Sequence, residues 1–298
     1  MKIVAIVVTY NRCALLKVCI AALKNQSHKL DCIMVINNSS TDETEEWLKT
    51  QTDLLTIKQI NSGGSGGFYR GLKKAYELGF NWMWCMDDDV YPEPDCLENL
   101  LEYKVDNIGI MCPKRVQNGK PFLTESKFLH LSNPFKPLHE RLEIEDLCCE
   151  SLDIVGMAFE GPLINRECVS RIGLPNKELF ILFDDTDYSF RCVLAGMKVM
   201  YVTKAILNKH LLMNSLSPIE RVKNSKWKYC YQIRNETYFS HKYGTNFTVK
   251  YVRPFLLLLK SYFYILKNVP FNDKYLFSDF ILFAKMYIRG VKHQLGKM

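Results

Sequence analysis

Three consecutive aspartates, Asp87, Asp88 and Asp89, directly follow an apolar run that reads "WMWCM". Adjacent carboxylates repel one another, so a triplet at the end of a buried strand is costly unless a cation lies beside it. Aspartate also favours helix N-termini, and prolines follow at positions 92 and 94, but capping requires only one of the three. Because Mg²⁺ and Mn²⁺ bind carboxylate oxygens and substrate phosphates together, the triplet predicts a divalent cation and a phosphorylated ligand.

Two other classes of phosphate-using protein lack their defining motifs in this chain. The GxxxxGK[ST] run of the P-loop NTPases does not occur. An aspartyl-phosphate phosphatase typically carries DxDx[TV], and here Tyr91 occupies the final position of that pattern. The triplet therefore favours a metal–phosphate site of another kind.

A glycine-rich stretch, "NSGGSGGFYRG" at 61–71, precedes a segment with helical character. It does not fit the GxGxxG pattern of dinucleotide-binding proteins, because Tyr69 occupies the last position. Glycines allow a ligand to approach the backbone, and N–H groups at a helix start attract anions. The alternative interpretation is a flexible loop. The residues predicted to contact the ligand are Asn61, Gly63, Gly64, Gly67 and Arg70.

A second acidic cluster, Asp184, Asp185 and Asp187, lies in "FILFDDTDYSFR" beside another apolar run. Capping explains one of these carboxylates, and the others indicate a division of roles in which one cluster holds metal and the other handles protons. Further along, a strand-like run ends at His210. A histidine is usually structural, but manganese accepts an imidazole beside carboxylates, so His210 is a candidate ligand.

The elements that must position these residues alternate between strands and helices in the first hundred positions. Strand-like runs occupy 2–8, 31–37, 54–60 and 81–86, and helical patterns occupy 13–26, 41–51 and 68–79. This alternation predicts an α/β fold with a mostly parallel sheet covered by helices on both faces. Polar clusters follow all four strands, at the carboxyl ends where such sheets bind ligands.

In the rest of the chain, the pattern predicts an irregular segment from about 113 to 150, followed by further strands and helices. It also predicts a helix at 221–243 and one or two amphipathic helices in the last fifty residues. The predicted organisation is one domain over 1–220 and a C-terminal helical region over 221–298.

The net charge of +7 is unevenly distributed. Nine Lys or Arg and two Asp lie from Thr248 to the end, so this segment accounts for the whole excess and no nucleic-acid partner is expected. Lys260 and Lys267 interrupt its apolar runs, which are too short to span a bilayer. A basic, aromatic, amphipathic segment suits an anionic membrane surface. The alternatives are a helical cap on the domain at 1–220 and a dimer interface.

The cysteines and the N-terminus predict a reducing, cytoplasmic location. The eleven cysteines include no CxxC pair, which argues against a zinc ribbon and a thioredoxin motif. The opening "MKIVAIVVTYNR" is too short to be a signal peptide. With the basic tail, this predicts a peripheral protein on the inner face of the cell membrane.

Together these stretches resemble the family 2 glycosyltransferases of the GT-A fold over roughly residues 2–240. The motifs occur in the order "VVTYNR", "NNSSTD", "NSGGSGGFYRG", "MDDDV", "FEGPLINRECVSRIG", "FDDTDYSFR" and "YQIRN". The pairing of "GGSGGFYRG" with "DDDV" is similar to bacterial galactofuranosyltransferases, with rhamnosyltransferases as close relatives. The resemblance implies a mostly parallel central sheet with helices on both faces and a C-terminal helical appendage. It also implies that 1–220 is the catalytic domain, with a nucleotide-sugar half at about 1–112 and an acceptor half at about 150–220.

The resemblance also implies a role for each candidate residue. Thr9, Tyr10, Arg12 and Asn37 would line the nucleotide pocket, with Asp87 and Asp88 also on the donor side. Asp87 and Asp89 would form the DxD pair, and Asp89 and His210 would hold Mn²⁺ or Mg²⁺ on the donor diphosphate. Asp185 would be the catalytic base, and Asp184 and Asp187 would orient the acceptor.

The implied reaction is an inverting transfer, foremost of galactofuranose from UDP-galactofuranose, to a hydroxyl of a glycan or lipid-linked glycan during synthesis of a cell-surface polysaccharide such as an O-antigen or capsule. The alternatives are transfer from dTDP-rhamnose or a UDP-hexopyranose, and a non-catalytic nucleotide-sugar-binding protein. The family more often has Asp where this chain has Asn37. An amide offers both a donor and an acceptor, so uridine and thymidine both stay open. The acceptor, the linkage and the oligomeric state stay open as well.

Overall fold

The structure, a computed structural model, describes residues 1–103, 106–210, 218–268 and 277–298. The chain forms two compact units. The larger unit comprises Met1–Phe128, Arg141–Phe180 and Asp184–Leu211, and the smaller unit comprises Leu129–Glu140, Ile181–Phe183 and Leu212–Met298. The predicted domain boundary at 220 stays a prediction, and residues 211–217 beside it lie outside the described residues.

Ten strands of the described chain form one sheet, in the spatial order β10-β12-β6-β11-β4-β1-β2-β3, with β5 on β12 and β7 on β6. The strands in chain order are β1 (Ile3–Thr9), β2 (Cys32–Asn37), β3 (Leu55–Lys58), β4 (Trp82–Asp87), β5 (Val90–Pro92), β6 (Ile108–Gln117), β7 (Lys120–Pro121), β8 (Ser126–Leu129), β9 (His139–Arg141), β10 (Ser151–Ile154), β11 (Leu163–Asn165) and β12 (Lys198–Lys209). Strands β8 and β9 stand outside this sheet.

The four strands predicted near the N-terminus form the parallel part of the sheet, as expected. Thr9 pairs with Asn37, and Val8 pairs with Asp87, so the polar loops after β1, β2 and β4 begin at the same edge. Beyond β4 the sheet is mixed, because β11 is antiparallel to both of its neighbours while β12 is parallel to β6.

Both faces of the sheet are covered, which explains why its central strands are continuous apolar runs. Val4, Ile6 and Val8 of β1 belong to one core, and the intervening residues of the strand belong to the other. The helices of the larger unit are α1 (Cys13–Lys24), α2 (Thr44–Lys49), α3 (Gly63–Glu77), α4 (Cys96–Leu101), α5 (Arg166–Ile172) and α6 (Asp184–Leu194).

The prediction of irregular structure from 113 was wrong over the first residues of that segment. Strand β6 continues through Pro113 to Gln117. Proline lacks the N–H group that a ladder requires, but Pro113 pairs with Val202 at the point where the register between β6 and β12 shifts. A bulge of this kind tolerates a proline inside a strand.

The predicted start of α3 was also wrong, since the helix begins at Gly63 rather than after the glycines. The glycines allow the helix to lie close against β1. A Cβ atom on Gly67 would stand 2.5 Å from Val8 Cγ1, and one on Gly71 would overlap Ile6 Cγ2. Part of the glycine pattern is therefore explained by helix–sheet packing.

The smaller unit is mainly helical and includes the predicted C-terminal helices. It contains α7 (Pro218–Tyr243), a short π-helical turn (Thr248–Val252), α8 (Arg253–Asn268) and α9 (Ser278–Val291). Its core is formed by Cys230, Ile233, Leu258, Ile265, Phe283 and Met286. Over the described residues, every helix is too short or too polar to cross a bilayer.

We expect Gly71→Ala to lower the free energy of unfolding by about 1–3 kcal/mol, because its methyl group would overlap Ile6 and push α3 off the sheet. Gly64→Ala is the matched control on the same helix, since a Cβ there meets no atom within 4 Å. Urea unfolding of both variants checks this. Equal stability of the two would contradict the packing role.

Candidate active site

The aspartate triplet lies where β4 ends and the chain turns into β5. Asp88 and Asp89 are buried. Both carboxylate oxygens of Asp88 are used within the protein: one accepts from Thr9 Oγ1 at 2.8 Å and from Tyr10 N at 3.4 Å, and the other accepts from Arg12 Nη1 at 3.1 Å. Arg12 Nη1 also lies 3.3 Å from an Asp89 oxygen. Asp88 therefore holds the loop after β1 in place.

Asp87 and Asp89 converge with a third carboxylate, that of Glu160. One oxygen from each of the three lies within 4.8 Å of the others. Burial, together with the charges of Asp89 and Glu160, raises the pKa of Asp87 well above its ordinary value. Three hard oxygen donors of like charge form the kind of ligand set that Mg²⁺ and Mn²⁺ prefer, so these residues fit the predicted divalent cation.

Hydrogen bonds and ion pairs hold both the backbone beside Glu160 and the Glu160 side chain. Gly161 N donates to Cys85 O at 2.8 Å, and Trp84 Nε1 donates to Gly161 O at 2.8 Å, so the backbone next to Glu160 is bonded to β4. The Glu160 carboxylate pairs with Arg115 on one oxygen and with Lys209 Nζ, at 2.6 Å, on the other. These two cations outweigh the effect of burial and lower the pKa of Glu160.

Arg115 is 1% exposed and is itself held by further partners. Its Nε donates to Glu125 Oε1 at 2.9 Å, and its Nη2 donates to Thr124 Oγ1. Sequence analysis missed Glu160, Arg115 and Lys209. The "FEGP" stretch was part of the resemblance, but a single acidic residue gives no charge pattern to interpret.

His210 lies beside the triplet but is not a member of the three-carboxylate group. Its backbone N–H donates to Asp89 O at 2.9 Å, and its ring centroid lies 4.5 Å from that of Tyr91. The Nε2 atom is buried and has no hydrogen-bond partner among the described residues. Its predicted role as a metal ligand stays a prediction, with an unused ring nitrogen as its support.

The predicted nucleotide-pocket residues lie together after β1 and β2. Tyr10 is 46% exposed, which leaves its ring available to a ligand. Asn37 is buried at 1% exposure, and its Oδ1 accepts from Ser40 N at 2.9 Å. The loop after β2 thus uses one of the two lone pairs of the Asn37 side-chain oxygen.

The glycine-rich stretch divides into packing positions and open positions. Gly63 and Gly67 lie against other parts of the protein, with Gly63 next to the carbonyl of Phe180. Gly64 faces open space, and Asn61 Oδ1 accepts from Gly63 N at 3.0 Å. Arg70 is exposed, on the next turns of α3. The predicted ligand contacts are thus most accessible at Gly64 and Arg70.

The second acidic cluster forms the first turn of α6. Asp187 is fully buried and pairs with Arg191 at 2.9 Å, while Arg191 also donates to the carbonyls of Ile172 and Leu174. This ion pair gives Asp187 a structural partner. Burial raises the pKa of Asp184.

Asp185 has the electrostatic character of a proton acceptor. One of its oxygens accepts from Thr186 N at 2.6 Å. Burial and the neighbouring Asp184 carboxylate raise the pKa of Asp185 to about 7, and the charge of Arg115 opposes this rise. A carboxylate that titrates near neutrality suits general-base chemistry. Since Arg115 acts on Asp185 and pairs with Glu160, it connects the two acidic clusters.

Comparisons with known proteins agree on the fold and the family. The family model described as Glycosyl transferase family 2 matches residues 4–160, just over half of the chain. The chain is 29% identical over 205 residues to galactofuranosyltransferase GlfT1 of Mycolicibacterium smegmatis, covering 65% of this chain and 66% of the relative. It is 26% identical over 219 residues to the O-antigen chain rhamnosyltransferase RfbN of Salmonella typhimurium, covering 70% and 66%.

Among solved structures, the chain is similar to a mannosyltransferase from Pyrobaculum calidifontis in complex with GDP-Man and Mn²⁺. The TM-score is 0.55 at 14% identity, over 78% of this chain and 63% of the other. At this identity the likeness shows the fold alone, and it confirms the predicted GT-A architecture. The chain spans 66% of the length of the two curated relatives, just under two thirds.

Proposed function

The chain belongs to glycosyl transferase family 2, and we propose that it is a metal-dependent glycosyltransferase that inverts the configuration of the transferred sugar. The observation that carries this proposal is the contrast between its two acidic clusters. Asp87, Asp89 and Glu160 converge as a cation site, whereas Asp185 has a pKa of about 7. A glycosyl transfer from a nucleotide diphosphate requires both functions, since a charged leaving group departs while a hydroxyl loses its proton.

On the donor side, Asp87, Asp89 and Glu160 would hold the cation, with His210 Nε2 as a further candidate ligand. A bound Mn²⁺ or Mg²⁺ would supply Lewis-acid stabilisation of the departing diphosphate. Arg12 lies on the same side and is fixed by Asp88 and Asp89, so its guanidinium adds positive charge near the predicted nucleotide pocket.

On the acceptor side, Asp185 would accept the proton of the attacking hydroxyl. An alcohol is a poor nucleophile at neutral pH, and a base that titrates close to that pH is suited to activating it. The oxygen–carbon bond forms as the bond to the diphosphate breaks, with no covalent sugar–protein intermediate. Attack opposite the leaving group inverts the anomeric carbon. Asp184 would help to orient the acceptor.

For the donor, we propose UDP-galactofuranose, in the synthesis of a cell-surface glycan or lipid-linked glycan. This follows the names of the curated relatives, which also make dTDP-rhamnose the second candidate. Asn37 is compatible with both bases, because its Nδ2 could donate to a carbonyl oxygen of uracil or of thymine. The sugar itself is read by the shape of the pocket rather than by one residue.

We expect Asp185→Asn to lower the rate of transfer by about 10²–10⁴-fold with a much smaller effect on donor binding, because the amide cannot accept the proton. In the unmodified protein the rate should rise as pH increases through about 7, where Asp185 loses its proton. Transfer from a radiolabelled nucleotide sugar measures both. Asp153→Asn, an exposed position on β10, is the matched control and should retain full activity.

A stability measurement excludes misfolding as the cause of the lost transfer activity in Asp185→Asn. The raised pKa means that the folded protein holds the Asp185 proton to a higher pH than the unfolded chain does, so stability falls as pH rises from about 4 to about 7. Asparagine removes this effect, and Asp185→Asn should unfold at least about 2 °C higher than the unmodified protein at pH 8. A stable variant that retains transfer would remove Asp185 from its proposed role.

We expect UDP-galactofuranose with Mn²⁺ to raise the unfolding temperature more than dTDP-rhamnose, UDP-galactose, UDP-glucose or GDP-mannose, each with Mn²⁺, because a ligand bound only by the folded state stabilises it according to its occupancy. Each sugar is compared with its free nucleoside diphosphate, which separates recognition of the sugar from recognition of the base. A larger shift with dTDP-rhamnose would select the second candidate.

We also propose that residues 248–298 bind an anionic membrane surface. On α8, Phe255, Leu259 and Phe263 are exposed at helical spacing, and on α9 Ile281 and Ile288 are exposed. Cationic side chains outnumber anionic ones by nine to two in this segment. An exposed apolar face with excess positive charge fits the boundary between lipid headgroups and acyl chains.

The double variant Phe255→Ser/Phe263→Ser should bind phosphatidylserine-containing vesicles at least about tenfold more weakly, since it removes two aromatic side chains from the apolar face. Phe135→Ser, at an exposed phenylalanine outside these helices, is the control. Flotation on a density gradient measures the bound fraction. Unchanged flotation, or a loss of dimerisation instead of lipid binding, would contradict the proposal.

A further inference from the structure

We propose that Lys209 is the resident cation of the group formed by Asp87, Asp89 and Glu160, and that a divalent ion binds there by displacing the Lys209 ammonium group. The inference rests on the proposed function only in so far as it concerns the same cation site. It requires no sugar, no acceptor and no turnover.

Lys209 pairs with two of the three residues that would hold a metal ion. Its Nζ lies 2.6 Å from one oxygen of Glu160, and 3.4 and 3.5 Å from the two oxygens of Asp89. Its side chain is 13% exposed. Since the carboxylate oxygens lie within 4.8 Å of one another, an ammonium group bonded to two of the three residues takes up the space and the lone pairs that a divalent ion needs.

The backbone places Lys209 there. Lys209 is the last residue of β12 and pairs with Val90, which directly follows Asp89 in the chain. The next residue, His210, donates its N–H to Asp89 O at 2.9 Å. The Lys209 Cα is thus fixed to the triplet by strand pairing, whereas its four-carbon side chain can change rotamer without any movement of the sheet.

Arg115, the other cation that pairs with Glu160, is held by more contacts than Lys209 is. Its guanidinium pairs with the other Glu160 oxygen, is also bonded to Glu125 and Thr124, and has a side chain only 2% exposed. Arg115 therefore holds one Glu160 oxygen from a fixed position, while Lys209 Nζ bridges the other Glu160 oxygen to Asp89. Displacing Lys209 frees that oxygen for a metal ion without releasing the Glu160 side chain.

The expected consequence is competition between two cations for the same carboxylates. Without metal, Lys209 offsets the repulsion among Asp87, Asp89 and Glu160 and keeps them in the arrangement that a metal ion needs. With metal, the ion must first replace this internal partner, so its affinity is lower than the three carboxylates alone would provide.

The test measures binding of Mn²⁺ alone, in the absence of nucleotide, by electron paramagnetic resonance of the free ion. Lys209→Met keeps the length of the side chain and removes its charge, and we expect it to bind Mn²⁺ at least about tenfold more tightly than the unmodified protein. Lys204→Met is the matched control, because Lys204 lies on the same strand but pairs at the surface with Glu150. Unchanged or weaker binding by Lys209→Met would overturn the proposal.

A second measurement uses the unmodified chain and does not depend on the folding of a variant. Brief acylation of lysine amines, quantified by mass spectrometry, should modify Lys209 slowly without metal and at least several-fold faster with saturating Mn²⁺. Lys204 reports any general change in reactivity. Equal protection of Lys209 with and without Mn²⁺ would overturn the displacement.

These results are independent of the proposed transferase activity. Displacement of Lys209 with no transfer to any acceptor would refute the proposed function and leave this inference intact. Transfer with no change at Lys209 would do the reverse.

Discussion

The arrangement of this protein depends on one electrostatic constraint: several carboxylates are buried together at the end of a parallel sheet. Among the described residues, Arg12, Arg115 and Lys209 pair with the carboxylates of Asp88, Asp89, Glu125 and Glu160. Asp87 adds a further carboxyl group, and its raised pKa reflects burial and the repulsion from Asp89 and Glu160. A divalent ion would offset that repulsion, and the converging oxygens of Asp87, Asp89 and Glu160 are ligands of the kind it prefers.

Much of the larger unit could be predicted from the sequence because its strands are buried on both faces. Central strands such as β1 and β4 are then continuous apolar runs, and the polar residues that follow them mark the edge of the sheet. The start of α3 and the extension of β6 through Pro113 could not be predicted in this way. Both depend on contacts with distant strands, in one case with Ile6 and Val8 and in the other with Val202.

The residues of the candidate site likewise divide into those that could be predicted from the sequence and those that could not. Asp87 and Asp185 could be predicted as site residues because each lies next to other aspartates in the sequence. Adjacent carboxylates repel one another, so such a cluster indicates a nearby cation or a chemical role. Glu160 and Lys209 could not be predicted in this way, because each is an ordinary charged residue until the fold brings them to the same carboxylates. Sequence also cannot distinguish an acidic side chain that faces a ligand from one that holds the protein together, as Asp88 does through the loop after β1.

Arg115 pairs with Glu160 of one acidic cluster and its charge acts on Asp185 of the other, so the two clusters are electrostatically coupled. A positive charge added beside Glu160 would also act on Asp185 across the buried surroundings that they share. It would favour the ionised form of the Asp185 carboxyl group. By thermodynamic reciprocity, protonation of Asp185 would weaken the hold on that added charge. In the proposed reaction, binding of a cation at the first cluster would thus leave Asp185 ionised at a lower pH, and a fall in pH would weaken the binding of that cation.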